Sequence, residues 1–383
     1  MPEVRFEPTR FDRASRALRA LAKASEFDGG EEEQAVAVLR TLAGSWADMP
    51  LSSPPRWSGL GADASGCDVS LVVDGLRREV RVTVEAQDDP PSPPTYWSAA
   101  LRLSRTLETQ YGADLSRLDA IADIFTPLDP NAAGVLWHGA VFQKGKPPWF
   151  KVYLHLMALG RNAARITARA AMERLRLGAC WPFVETRLGA DDELLFLSFD
   201  LVPGSDARVK LYVRHAEATA ATLETAAKLP GASRPADVRG FVEDLTGGAD
   251  EIIRRGALTS LQLRPGDDVP IHLSTHVRLY PHCATSDAVM STRLRIALRR
   301  LGLPSTSYDA AIAALVSEGR ADEAVHGWAS IQWIRQRPCA TVYFSPRLYF
   351  ERYGPIGLDP VRMWPSPVGP ANSQERRPLC APP

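Results

Sequence analysis

Nothing in this sequence is built to cross a membrane, to hold nucleic acid or to be stapled by disulfides. Its five cysteines, Cys67, Cys180, Cys283, Cys339 and Cys380, are scattered and odd in number. None forms a C-x-x-C pair, which argues against a disulfide framework or a zinc ribbon and fits reduced thiols. Neither sign of charge prevails, since 45 Lys and Arg stand against 45 Asp and Glu. Nucleic acid and anionic membranes both favour a basic surplus, so neither is expected as a partner. No uninterrupted apolar run approaches the roughly 20 residues of a membrane span. The opening MPEVRFEPTR has no apolar core, so no signal peptide is expected, and a cytoplasmic protein is the reading that fits.

Several catalytic signatures are missing too. The doublets Asp88–Asp89, Asp191–Asp192 and Asp267–Asp268 lie beside Pro or Gly and read as turns. None completes a D-D-x-x-D motif, which argues against magnesium-dependent isoprenoid chemistry. There is no phosphate-binding G-x-x-x-x-G-K-[ST] loop, no dinucleotide fingerprint after a strand and no G-x-S-x-G elbow. His272, His276 and His282 share a strand parity, but on one flat strand they stand too far apart to meet at one ion. Neither a metal nor a cofactor is expected.

What the chain does have is an ordinary globular balance over 383 residues, 45% apolar and 23% charged. Helical spacing marks Phe11–Ala22, Glu31–Ala47 and Trp97–Tyr111, and the stretch DDPPSPP at 88–94 is a proline-rich connection. Five pairs of extended segments follow the chain. They are 67–73 with 79–85, 134–143 with 148–157, 194–202 with 208–215, 257–264 with 271–281, and 326–335 with 340–345. Helix-like segments at 160–177, 216–228, 236–255, 286–301 and 308–318 separate them. The outer segments share a signature, KVY at Lys151–Tyr153, KLY at Lys210–Tyr212, RLY at Arg278–Tyr280 and TVY at Thr341–Tyr343. Their tyrosines stand 59, 68 and 63 residues apart, a rhythm that indicates repeated units. Five ααββ units make an antiparallel β-barrel of ten strands ringed by α-helices. One domain is expected over 1–353, with two N-terminal helices at about 10–47, followed by a Pro-rich irregular tail at 354–383.

Alternate residues of a strand share a face. Lys151, Tyr153 and His155 therefore align, as do Arg208, Lys210, Tyr212 and Arg214, then His276, Arg278, Tyr280 and His282, then Thr341, Tyr343 and Ser345. Turned inward, such faces give a cationic chamber with an aromatic wall. Arg and Lys hold a diphosphate through charge-assisted bonds of about 1.5–3 kcal/mol each. Tyrosine faces stabilise an allylic cation by about 0.5–2 kcal/mol each while water is kept out. The two features serve one chemistry, ionisation of an allylic diphosphate and capture of its cation by an electron-rich ring.

On these residues the sequence resembles the dimethylallyltryptophan synthase type of aromatic prenyltransferase, the αββα-barrel family. The resemblance runs from about Trp57 to Tyr353 on VLWHGAVFQKGKPPWFKVYLH, DARVKLYVRH, STHVRLYPH and ATVYFSPRLYF, with CDVSL and VRVTVEA upstream. It implies a diphosphate held without metal by Arg81, Lys151, Arg208, Lys210 and Arg278. Arg278 stands where many relatives have a neutral polar residue. It also implies a cation shield of Tyr153, Tyr212, Tyr280 and Tyr343. Asp68 takes the place of the glutamate that receives the indole N–H in relatives acting on tryptophan, and is one methylene shorter. His138 takes the place of a lysine that removes the final proton. The resemblance implies an allylic diphosphate donor and a small aromatic acceptor, with dimethylallyl diphosphate and an indole as first choices. A phenol or quinone acceptor, or a non-catalytic binder of an anionic aromatic ligand, stays open, as does the oligomeric state.

Overall fold

In the computed structural model the described residues are 7–348 without 54–57, 62–63, 133, 205–206, 230–233, 249, 285 and 317–324. The expected tail at 354–383 lies outside them. Ten strands form one closed antiparallel barrel. They are β1 Cys67–Val73, β2 Glu79–Glu85, β3 Leu136–Gln143, β4 Trp149–His155, β5 Glu193–Asp200, β6 Val209–Ala218, β7 Ile253–Leu263, β8 His272–Arg278, β9 His326–Ile334 and β10 Arg337–Phe344. Each pairs with its sequence neighbours, and β10 closes on β1 with Val69 opposite Phe344 and Val73 opposite Ala340.

The strands bury both faces, but unequally in character. Val80, Val82 and Val84 of β2, Val152 and Leu154 of β4, and Leu211 and Val213 of β6 point outward and are buried under helices. The hydrophobic core is thus a sleeve between barrel and helices. This frees the alternate positions, which face the lumen, to be polar.

The helices around the barrel are α1 Arg10–Ala24, α2 Gly29–Ala43, α3 Pro93–Tyr111, α4 Ser116–Ile121, α5 Ala164–Arg174, α6 Trp181–Glu185, α7 Ala220–Ala226, α8 Pro235–Thr246, α9 Asp287–Arg300 and α10 Thr306–Val316. Their ends are written locally. Thr9 with Asp12 and Asp28 with Glu31 make capping boxes on α1 and α2. Ser92 caps α3, whose first position is proline, and Gly112 stops it in the left-handed conformation. A buried chain from Asp287 Oδ1 to His326 Nδ1 (2.6 Å) and from His326 Nε2 to the Tyr308 hydroxyl (2.9 Å) ties α9 and α10 to β9. None of the helices among the described residues is long and apolar enough to cross a membrane.

Several boundaries differ from the sequence expectation, most of all at β6 and β7. β6 runs on to Ala218 and β7 starts at Ile253, where helix was expected on both sides. An irregularity at His215 to Glu217 lets the ladder continue, with Glu217 opposite Arg254 and their side chains paired as ions. Near 160–177 only Ala164–Arg174 is α-helical, with short 3₁₀ turns before it.

Candidate active site

The even-numbered strands all run the same way along the barrel, and they build the site in two tiers. Lys151 on β4, Lys210 on β6, Ser274 on β8 and Thr341 on β10 form a polar tier. Two residues further along each strand come Tyr153, Tyr212, His276 and Tyr343. Alternation requires these pairs to share the lumen face. The four rings follow one another at tilted angles, with centroids of Tyr153 and Tyr212 6.2 Å apart, Tyr212 and His276 5.7 Å, and His276 and Tyr343 6.2 Å. They line a cavity shared with Arg81, Lys151, Arg208 and Lys210.

The four cations converge from three parts of the wall, and two acids hold three of them. Arg81 is bonded to Glu79, with Nη2 2.5 Å from Oε1. Arg208 Nε donates to Asp200 Oδ2 at 2.7 Å, and Lys151 Nζ lies 3.7 Å from Asp200 Oδ1. Lys210 Nζ donates to a hydroxyl, Ser274 Oγ at 3.3 Å, which in turn donates to Gln332 at 3.1 Å. Burial pulls Lys151 well below the ordinary lysine range, against the pull of Asp200. Burial, then Arg208 and Arg81, bring Lys210 down to about 7. Asp200 is held below its ordinary value because Lys151 and Arg208 outweigh its own burial. Cations whose charge is this costly to keep are poised for an anion that would relieve them. Glu79 and Asp200 were not singled out from the sequence, though both follow the lumen parity of β2 and β5.

Beyond the ring tier, on the side away from the cations, the lumen is more aromatic. Trp137 packs on Phe196 at 4.8 Å between centroids, and His155 on Phe196 at 5.1 Å. His155 is buried, and its Nδ1 has no hydrogen-bond partner among the described residues. Glu85 is fully buried. It accepts from Trp137 Nε1 at 2.9 Å and is bonded by the Ser58 hydroxyl. Burial pushes its carboxyl up to about 7, against the hydrogen bonds from Ser58 and Trp137. Glu85 was also missed, although VRVTVE sets it on the face of Arg81. Asp68 is partly buried on β1 at this same end. Its charge helps keep Arg278 protonated, while burial pulls that guanidinium down to about 10.

Three expected site residues stand elsewhere than the sequence placed them. His138 faces out of the barrel. The Ser104 hydroxyl on α3 donates to the Ala100 carbonyl at 3.0 Å and so accepts from His138 Nε2 at 2.8 Å. Its neighbour Trp137 takes the lumen position, since only one of two adjacent strand residues can face inward. Tyr280 lies past the end of β8, in a turn where its carbonyl accepts from Arg278 Nε at 3.1 Å. His276 fills the shield position on β8, so the repeated triplet there is Ser274–His276, not Arg278–Tyr280. Arg278, two residues past His276, lies on the far side of the ring tier from Arg81, Lys151, Arg208 and Lys210, with its guanidinium 6.0 Å from the Trp328 ring.

The family model for tryptophan dimethylallyltransferase matches residues 12–310. Among solved structures the chain is similar to 5-dimethylallyltryptophan synthase from Streptomyces coelicolor, with TM-score 0.81 and 25% identity over 90% of this chain and 99% of that one. It is similar to 6-dimethylallyltryptophan synthase from Micromonospora olivasterospora, in complex with DMASPP and Trp. There the TM-score is 0.82 at 27% identity, over 89% of this chain and 98% of that one. AnaPT from Neosartorya fischeri shares the fold, with TM-score 0.71 at 16% identity over 86% of this chain and 91% of that one.

Proposed function

The chain belongs to the tryptophan dimethylallyltransferase family and is a prenyltransferase, and from that premise we propose that it moves a dimethylallyl group from dimethylallyl diphosphate to an indole acceptor, tryptophan or a derivative. The observation that carries this reading is the two-tier lumen, cations first and aromatic rings one step beyond. The whole reaction takes place within one barrel unit, residues 1–353.

The diphosphate lies among Arg81, Lys151, Arg208 and Lys210, which supply the positive charge that the departing group requires without calling on a metal. As the C–O bond breaks, its electron pair leaves with the diphosphate. The allylic cation then stands inside the ring of Tyr153, Tyr212, His276 and Tyr343. The tyrosine faces stabilise it, each by about 0.5–2 kcal/mol, and water is excluded. The acceptor occupies the far end, beside Trp137 and Phe196, where Asp68 takes its N–H and Arg278 suits the carboxylate of an amino acid. The indole ring attacks the cation, and loss of the ring proton restores aromaticity.

The test is product analysis by mass spectrometry with dimethylallyl diphosphate, an indole and phenol panel, and EDTA. Prenylated tryptophan formed with EDTA present is the expected result. Product from phenols alone would keep the enzyme class and displace the acceptor. A requirement for magnesium would overturn the metal-free handling of the diphosphate.

A further inference from the structure

The proposed reaction needs a group to take the proton from the prenylated ring, and the residue expected to do so, His138, is bonded to Ser104 outside the barrel. Inside, among the described residues, Glu85 is bonded to Trp137 and Ser58, and Asp68 and His155 lie beyond the ring tier toward the acceptor end. Glu79 and Asp200 are occupied by Arg81, Lys151 and Arg208 on the diphosphate side. Lys151 and Lys210 would be held protonated by a bound diphosphate. Burial pushes the hydroxyls of Tyr153, Tyr212 and Tyr343 further from ionisation.

His276 differs from all of these. It lines the cavity and is 7% exposed, between Tyr212 and Tyr343 in the tier where the new bond would form. Among the described residues its only hydrogen-bond partner is Ser260 Oγ, a long 3.4 Å from Nε2. The groups that face it are Lys210 and Tyr212 from β6, Arg81 from β2, Tyr343 from β10, Ser330 from β9 and Ser260 from β7. The charged ones are both cations. With burial they keep the imidazole neutral, down to about 3. A diphosphate bound to those same cations offsets their field and makes the ring a better base.

Resting on the prenyl-transfer reading, we propose that His276 is the catalytic base that restores aromaticity. The C–H bond of the arenium breaks, its electron pair returns to the ring, and the proton goes to an imidazole nitrogen of His276. The imidazolium so formed stands beside the departing diphosphate, which carries the proton away on release. One side chain thus serves first as a neutral π face for the cation and then as the proton acceptor.

The experiment compares wild type, His276→Phe and His276→Gln with ordinary and ring-deuterated tryptophan, following diphosphate release and prenylated product separately. His276→Phe keeps a π face and removes the base. It is expected to go on ionising the donor, releasing diphosphate and dimethylallyl alcohol, while product falls about 10²-fold or more. A ring-deuterium effect near unity in wild type should rise above about 2 as deprotonation becomes slow in the variants. Product within about threefold of wild type and no isotope effect would overturn the proposal and make the diphosphate the base. Parallel loss of ionisation and product in both variants would also overturn it, by making His276 a wall residue. Failure of the underlying reading looks different, because the wild type itself would then give no prenylated aromatic.

Discussion

Asp200 holds two cations, Arg208 just ahead of β6 with Nε at 2.7 Å and Lys151 on β4 with Nζ at 3.7 Å. Burial pulls Lys151 well below the ordinary lysine range, and the carboxylate works against that pull. Asp200→Asn removes that support. Donor affinity, measured by calorimetry, should fall in the variant, and fall further as pH rises, because burial is then unopposed in drawing Lys151 down. A loss that is the same at every pH would mean that Asp200 acts by shape alone.

Lys210 leans on the Ser274 hydroxyl, and burial brings its ammonium down to about 7. A bound diphosphate raises that value, so binding takes up a proton at high pH. Donor affinity should hold below pH 7 and weaken above it, by up to tenfold per unit until the bound-state value is passed. Lys210→Arg, charged throughout, should flatten the profile between pH 7 and 9. A wild-type profile already flat there would contradict the assignment.

Glu85 contributes to stability in the opposite direction from a paired carboxylate. Its folded value, about 7, stands above the ordinary 4.5 because burial disfavours the charge. The contribution is complete below about 4.5 and is lost as pH rises through 7, on the order of 1–3 kcal/mol. Glu85→Gln can still accept from Trp137 and should melt at a temperature independent of pH in that window. Wild type should lose a few degrees relative to the variant between pH 4.5 and 7 by differential scanning fluorimetry.

His138 bonds the helix sleeve and not the substrate. His138→Gln should leave turnover within about twofold and lower the melting temperature by a few degrees, the cost of one buried hydrogen bond. If turnover instead drops by about two orders of magnitude with the fold intact, His138 returns to catalysis.

Much of this site is legible in the sequence because the barrel turns period-two alternation into a wall. Lys151 with Tyr153, and Arg208 with Lys210 and Tyr212, can be read directly from strand parity. The ten strands follow from the same rhythm. What could not be read is which of two adjacent residues faces inward when both faces are buried. In the run LWHGAV, Trp137 and His138 look equally suited to a lumen, and only the pairing of Trp137 with Glu85 and Tyr153 decides. The RLY triplet misleads for another reason. Pro281 cannot extend the ladder, β8 ends at Arg278, and the true tier lies four residues earlier at His276. The acids Glu79 and Asp200 sit at strand ends, where a carboxylate reads as an ordinary edge residue.

The two-tier lumen is tested most directly by a crystal structure with tryptophan and an unreactive thiolo analogue of dimethylallyl diphosphate. The diphosphate should lie among Arg81, Lys151, Arg208 and Lys210. The prenyl chain should pass between Tyr153, Tyr212, His276 and Tyr343, with the indole beyond them toward Asp68 and Trp137. A diphosphate bound instead at Arg214 and Arg278, with the acceptor among the lysines, would reverse the site and contradict this arrangement.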